Sequence, residues 1–423
     1  MSLEVIEMRE WEANRILIGK AFSDQKSKET AVLLKSKGII DIIELKEGLC
    51  ISTNSYVGRI KLGDLQINVM PKIHGIPLYR LLNYAYGLRD LKLFDDSEHN
   101  INDFEFFDIL IYQLYVEVEE LFLRGLHRSY LRLENDLESP RGRIDLRKLS
   151  ERSNKQEASL PCVYFERNED NLLNQTLLAG LELSIKLAVD TKLKIQLHRL
   201  YSQMTEGVSS VIINRQTLKM AWSSVSRLTN RYKPILEIIN ILYESQGIQL
   251  EDGSVKMQLH GFFFDMNKFF EILVSRLIKD FIQGYTLRDQ YNLHNMFAYT
   301  PGFNPKRRKS PTPRPDFALM KGGKVVKLLD AKYRDLWETN LPGEMLYQLS
   351  IYAVSGIGDW TATIIYPSMD KKVTIQKIDI NDPMTSSKLA TVILQPIDLF
   401  RVALLLDSDN EGIKRYVQET IDG

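Results

Sequence analysis

Only two cysteines, Cys50 and Cys162, occur in 423 residues, too few for a disulfide framework and too isolated for a zinc site. Histidine is scarce too. His74, His99, His127, His198, His260 and His294 show no metal-binding spacing on a shared helix face. Net charge is absent: 55 Lys and Arg balance 55 Asp and Glu, so attraction to nucleic-acid phosphate has to come from local clustering. No apolar run approaches the roughly 20 residues that span a bilayer, and the N-terminus carries no basic-then-apolar leader. The expectation is a cytoplasmic protein with no membrane partner. The phosphate-loop pattern Gly-x-x-x-x-Gly-Lys-Ser/Thr is missing, so the chain is not expected to hydrolyse nucleoside triphosphates itself. Gly-x-Ser-x-Gly is missing as well, which removes the simplest hydrolase reading. There is no internal repeat and no low-complexity tract.

What is present is a chain long enough for two or three domains. Ile39–Leu45, Tyr56–Leu62 and Leu65–Met70 are short β-branched runs separated by turns such as Gly63-Asp64, and Pro71 closes the last. Pro77–Tyr86 has helical spacing. Phe107, Leu110, Leu114, Val118 and Leu121 recur at three and four, predicting a helix from about Phe104 to Leu126. Ser139–Arg143 interrupts as a loop. Leu172, Leu173, Leu177, Leu181 and Ile185 form one face of a helical region from Asn168 to about Gln246, less regular over Val208–Trp222. From about Glu251 helices and strands alternate. A helix over Asp265–Ile282 has Asp265 as its N-cap, and a basic loop spans Thr300–Arg314. Two strands flank Lys321–Lys324, followed by a helix over Pro342–Ala353 and a buried strand at Ala362–Tyr366. The expected fold class is α+β. Its segments are 1–155 (β-rich over 1–75, helical over 77–130), a helical region 156–250, and an α/β core 251–423.

Chemistry concentrates in that last segment. Pro315-Asp316 is followed fourteen residues later by Asp330-Ala331-Lys332. Asp-x-Lys by itself carries no information, since it also occurs at 24–26, 90–92, 190–192 and 370–372. At 330–332, however, it ends the apolar strand Val325–Leu329, and alternation puts Asp330 and Lys332 on one face. The preceding strand, Asp316–Met320, folds back through Gly322-Gly323. A strict two-residue turn there would pair Asp316 with Leu329 and set the aspartates on opposite faces. A three-residue loop or a bulge brings Asp316 level with Asp330. Two such carboxylates would make a hard-oxygen site for Mg²⁺, or Mn²⁺ in its place, with the Ala331 carbonyl as a further ligand. Lys332 would stabilise charge on phosphorus or hold water. Glu271 on the preceding helix could bind the metal or its water. Gln348 and Tyr352, four apart on the following helix, share a face, with Gln348 a candidate to position water or phosphate and Tyr352 an ordinary packing residue. The bland alternative is a solvated strand end with a surface ion pair.

Between 301 and 335 there are ten Lys or Arg against three Asp. Lys306, Arg307, Arg308 and Lys309, with Arg314, lie immediately upstream of the carboxylates, where they would contact DNA phosphates. The alternative is a solvated basic loop.

Taken together, these pieces resemble the McrC family, the nuclease subunit of McrBC modification-dependent restriction systems. The resemblance rests on residues 67–73 (Ile-Asn-Val-Met-Pro-Lys-Ile), 81–86 (Leu-Leu-Asn-Tyr-Ala-Tyr), 140–145 (Pro-Arg-Gly-Arg-Ile-Asp) and 165–174 (Phe-Glu-Arg-Asn-Glu-Asp-Asn-Leu-Leu-Asn). It continues through 265–271 (Asp-Met-Asn-Lys-Phe-Phe-Glu) and the 315–332 core. It implies a β-rich N-terminal domain that docks on a partner, then a restriction-endonuclease-like α/β domain of the PD-(D/E)xK type with a large helical part. By motif position Asp316, Asp330 and Lys332 would be catalytic with Glu271 as a helper, and Gln348 joins the catalytic set from its place on the following helix. The implied partners are DNA, with or without a base modification, and a McrB-like hexameric AAA+ GTPase whose hydrolysis the subunit stimulates. The competing expectation is a non-catalytic activator of such a motor with a degenerate nuclease fold.

Overall fold

The computed structural model describes residues 4–88, 106–151, 159–245, 261–370 and 372–422. It is a mixed α+β protein whose contacts divide it into two units, Met1–Phe106 with Gly247–Gly423, and Phe107–Gln246. This differs from the three consecutive segments read from the sequence. The first and last parts of the chain build one unit, and the middle forms the other. The boundary read near Glu251 lies outside the described residues.

In the discontinuous unit, Ile40–Leu45, Tyr56–Leu62 and Leu65–Met70 are strands, close to expectation. Three more were not anticipated: Glu4–Arg9, Arg15–Ile18 and Gly48–Thr53, together with a helix over Gln25–Ser36. One sheet runs Glu4–Arg9, Leu65–Met70, Tyr56–Leu62, Gly261–Asp265; its last strand comes from two hundred residues downstream. A three-stranded antiparallel sheet, Arg15–Ile18, Gly48–Thr53, Ile40–Leu45, joins it over a core of Ile40, Ile51, Ile60, Ile67 and Phe263.

The C-terminal part of this unit is a six-stranded mixed sheet in the order Thr286–Asp289, Phe317–Lys321, Lys324–Ala331, Thr361–Ser368, Lys388–Asp398, Gln376–Asn381. The three central strands are parallel, and the remaining pairings are antiparallel. Burial on both faces explains the near-continuous apolar run of Thr361–Ser368. Helix Gly343–Ala353 seats Leu349, Tyr352 and Ala353 on Ala318, Leu328 and Ile364 of the sheet. Helix Met266–Phe281 buries Phe269, Phe270, Leu273, Val274 and Leu277, and Asp265 caps it by accepting the amides of Asn267 and Lys268.

The second unit holds five helices longer than two turns among its described residues: Phe106–Arg124, Leu172–Leu187, Thr191–Met204, Arg215–Ser224 and Tyr232–Ser245. Two features depart from the sequence reading. Leu160–Asn168 is a strand rather than the start of a helical region, pairing with Ser129–Leu137 and Arg143–Ile144. Within the irregular stretch, Asn214 caps a true helix from Arg215 by accepting the Thr217 amide. Buried Asn174 ties the unit together, donating to the carbonyls of His127 and Glu169 and accepting from the Tyr232 hydroxyl. Among the described residues no helix is long and apolar enough to cross a membrane.

Candidate active site

The site begins with the register of one hairpin. Lys321 pairs with Lys324 across Gly322-Gly323, whose φ values of 57° and 79° suit glycine and few other residues. Continued straight, that turn would separate the two aspartates. Instead Met320 pairs with Val325 while Leu319 pairs with Lys327, leaving Val326 as a bulge. Beyond it Phe317 faces Leu329, so Asp316 comes level with Asp330. This is the repair the spacing demanded.

The two carboxylates converge. Lys332 Nζ lies 3.0 Å from Asp330 Oδ2 and 3.7 Å from Asp316 Oδ2. Asp316 Oδ2 also accepts the Ala331 amide hydrogen at 2.9 Å. Lys332 itself is held by its amide, which donates to the Ile365 carbonyl at 3.0 Å. Asp330 is only 2% exposed, and its Oδ1 has no hydrogen-bond partner. A buried carboxylate oxygen left unsatisfied costs free energy, and such groups concentrate at functional sites.

Glu271 projects from helix Met266–Phe281, where its Oε1 accepts from Gln290 Nε2 at 2.5 Å. The Gln290 amide donates to the Asp316 carbonyl at 2.6 Å, so one residue ties Glu271 to the strand carrying Asp316. Gln290 was not foreseen: a lone glutamine after a short strand carries no sequence signal. Gln348 Nε2 donates to the Tyr352 hydroxyl at 2.7 Å. The Tyr352 ring packs in the core while its hydroxyl feels the charges of Asp330 and Asp316.

The electrostatics follow from burial and crowding. Burial, then the like charge of Asp316, pushes the Asp330 carboxyl well above the usual carboxylate range, against the pull of Lys332. Burial, then Asp316, also raises Glu271, opposed by the Gln290 hydrogen bond and Lys332. For Lys332 burial works against the charge, but Asp330 and Asp316 outweigh it, and the ammonium is held more firmly than usual.

Behind the site, Tyr333 is gripped at three points. Its amide donates to Asn267 Oδ1 at 3.2 Å, its carbonyl accepts from Trp11 Nε1 at 2.9 Å, and its hydroxyl donates to Glu10 Oε1 at 2.8 Å. Glu10 is 1% exposed and also accepts the Lys72 amide, and burial pushes its carboxyl up to about 7. Lys306, Arg307, Arg308, Lys309 and Arg314 are all exposed on a loop whose ends are pinned by Leu293 to Pro313 and Tyr291 to Pro315 hydrogen bonds. Asn304 closes the tip of the loop by exchanging bonds with the Arg308 backbone.

Two hard oxygens aimed at one cationic nitrogen can hold a divalent cation of the Mg²⁺ kind, and the unpartnered Asp330 Oδ1 fits that use. Among the described residues no third His, Cys, Asp or Glu completes a metal-binding cluster with them. Glu271 therefore stands beside the pair rather than in it.

Among curated proteins no relative matches the sequence. Chains of solved structures do match in fold, two of them as follows. One, a refined half-complex from a tetradecameric assembly of Thermococcus gammatolerans McrB AAA+ hexamers with bound McrC, matches at 18% identity over 99% of this chain and 99% of that chain, with a TM-score of 0.66. The other, a cryo-EM structure of the Thermococcus gammatolerans McrBC complex, matches at 19% identity over 65% of this chain and 87% of that chain, with a TM-score of 0.47. At such identity the first likeness speaks to the fold. A family model described as "McrBC 5-methylcytosine restriction system component" matches residues 51–367, about three-quarters of the sequence. The chain belongs to this McrBC family of restriction-system components.

Proposed function

We propose that the chain is the DNA-cleaving subunit of a McrBC-type restriction complex, a metal-dependent endonuclease of the PD-(D/E)xK type. The observation that carries this reading is the convergence of Asp316 and Asp330 on the Lys332 ammonium, made by the bulge at Val326. Asp316, Asp330 and the Ala331 carbonyl would hold Mg²⁺, with Mn²⁺ as a substitute. Such a cation supplies Lewis-acid polarisation of the phosphodiester and a lowered pKa for the attacking water. In the hydrolysis, water oxygen bonds to phosphorus, the bond to one sugar oxygen breaks, and that oxygen takes a proton. Lys332 sits where negative charge grows on the phosphoryl oxygens. Glu271, steadied by Gln290, would take the proton from the water, and its burial, which raises its pKa, favours it as a proton acceptor. Gln348, fixed on Tyr352, would orient water or phosphate. Lys306, Arg307, Arg308, Lys309 and Arg314 would track the backbone of the DNA.

The solved relative is described with McrB AAA+ hexamers, which supports a McrB-like AAA+ GTPase ring as this chain's partner. The sequence lacks a phosphate loop of its own. The second reading, a non-catalytic activator of that motor, draws on the absence of a third carboxylate from the cluster among the described residues. Cleavage of methylated and unmethylated duplexes in Mg²⁺ or Mn²⁺, with the partner ring and with Asp330→Ala in parallel, tests between them. Loss of cutting in the variant is expected. Intact protein that accelerates GTP hydrolysis yet leaves DNA uncut establishes the activator reading instead.

A further inference from the structure

Arg334 differs from Arg80 and Arg276 of the same unit. Each of those has a carboxylate partner. Among the described residues Arg334 has none, and its Nε is buried without a hydrogen bond. The guanidinium is nonetheless not loose. It lies over the Trp11 indole at 5.1 Å from the ring centroid.

The support beneath it is itself fixed. The Trp11 indole N–H is committed to the Tyr333 carbonyl, and its amide donates to the Asn54 carbonyl. Trp11 adopts φ 59°, a left-handed backbone that costs a bulky residue free energy and recurs at functional sites. The Arg334 amide donates to the Lys332 carbonyl at 2.9 Å, so its backbone turns back directly onto the lysine residue of the site. Tyr333 between them is clamped by Glu10 and Asn267. The result is a half-buried cation two residues from Lys332, stacked, immobilised and missing an anion.

We propose that Arg334, cradled by Trp11, binds a backbone phosphate of the DNA next to the scissile one and so sets the register of the strand over Asp316 and Asp330. This rests on the nuclease reading and names how its substrate is seated. A guanidinium offers planar N–H donors that suit phosphate; Nε is buried here, so the contact would fall to the terminal Nη groups. Strain at Trp11 is then explained as the cost of building the platform on an N-terminal turn.

The test is equilibrium binding of fluorescently labelled duplex DNA by the full chain, without divalent cation, over a salt series, for the native protein, Arg334→Ala and Arg334→Lys. Neutralising one phosphate contributes about 0.9 to the log–log salt slope. Arg334→Ala is expected to lower the slope by about that much and to weaken binding roughly tenfold at low salt. Arg334→Lys should keep the slope while losing part of the affinity, a split that general misfolding does not produce. Cleavage with the partner ring is measured alongside, with Asp330→Ala. If Arg334→Ala binds with native slope and affinity while Asp330→Ala abolishes cutting, this inference falls and the nuclease reading stands. If Asp330→Ala cuts normally, the nuclease reading falls and the salt slope alone judges the DNA contact. Absence of any salt-dependent binding by the native chain also overturns the inference.

Discussion

The Asp316 carboxylate accepts the backbone hydrogen of Ala331, so one strand's acid is aimed by the neighbouring strand's main chain. That bond survives any side-chain change at 331 that leaves the backbone in place. The geometry of the pair therefore depends on hairpin register more than on which small residue sits between Asp330 and Lys332.

Asp330→Asn is expected to separate stability from activity. Cleavage should fall more than about a hundredfold, beyond what loss of an outer-shell group costs. Thermal stability at pH 8 should rise, since a buried acid held above its ordinary range destabilises the fold once it is ionised. Melting curves and cleavage rates on the same preparation check this. Parallel loss of both would mean that Asp330 is structural.

Mg²⁺ should stabilise the native protein and not Asp330→Asn. Binding at a hundred times Kd adds about 2.7 kcal/mol by mass action. Differential scanning fluorimetry with Mg²⁺ titration reads the shift, and an equal shift in both proteins would place the cation elsewhere.

Glu10 predicts a pH dependence of folding. Its folded value of about 7 lies above the unfolded value of 4.5. Below 4.5 the group costs nothing. As pH rises from 4.5 through 7 the unfolded chain releases a proton that the folded chain keeps, and stability is lost. The full effect is roughly 3 kcal/mol. Urea denaturation at pH 5 and pH 8 should show a shallower decline for Glu10→Gln than for the native chain. Asp330 and Glu271, also raised, contribute to the same slope and persist in the variant. Identical slopes would mean that Glu10 is charged in the fold.

In the helical unit, a Cβ at Gly180 would sit 2.5 Å from Ile239 Cδ1 and 2.6 Å from its Cγ1. Ile239 is fully buried and has little room to yield. Gly180→Ala should therefore destabilise by about 1–3 kcal/mol despite its better helix propensity, measured by chemical denaturation; a stabilised variant would show that the two helices can part.

Local signals were readable wherever side-chain periodicity and turn chemistry agree. The hairpin flanking Gly322-Gly323, the cap at Asp265 and the strands at 56–62 and 65–70 came directly from pattern. Long-range partnership was not readable. Gly261–Asp265 completes a sheet begun at Tyr56–Leu62, and nothing in either stretch names the other. Ser129–Leu137 was hidden because most of its residues face solvent and lack apolar alternation. In the site, the spacing between Asp316 and Asp330 forced a choice between an odd loop and a bulge, and the structure adopts the bulge. Gln290 and the Glu10–Tyr333 contact bridge distant segments, which a single sequence cannot reveal.

The strand at Gly261–Asp265 also sets a timetable. Tyr56–Leu62 leaves the ribosome about two hundred residues before the strand that borders it. At roughly 5–20 residues per second, that is a wait on the order of 10 to 40 s. During that wait one sheet edge stands open, while the middle unit, Phe107–Gln246, is synthesised. Asp316, Asp330 and Lys332 emerge later still. The acidic pair and its lysine are thus assembled only after that open edge has been closed by Gly261–Asp265, on a platform whose first pieces were made well before them.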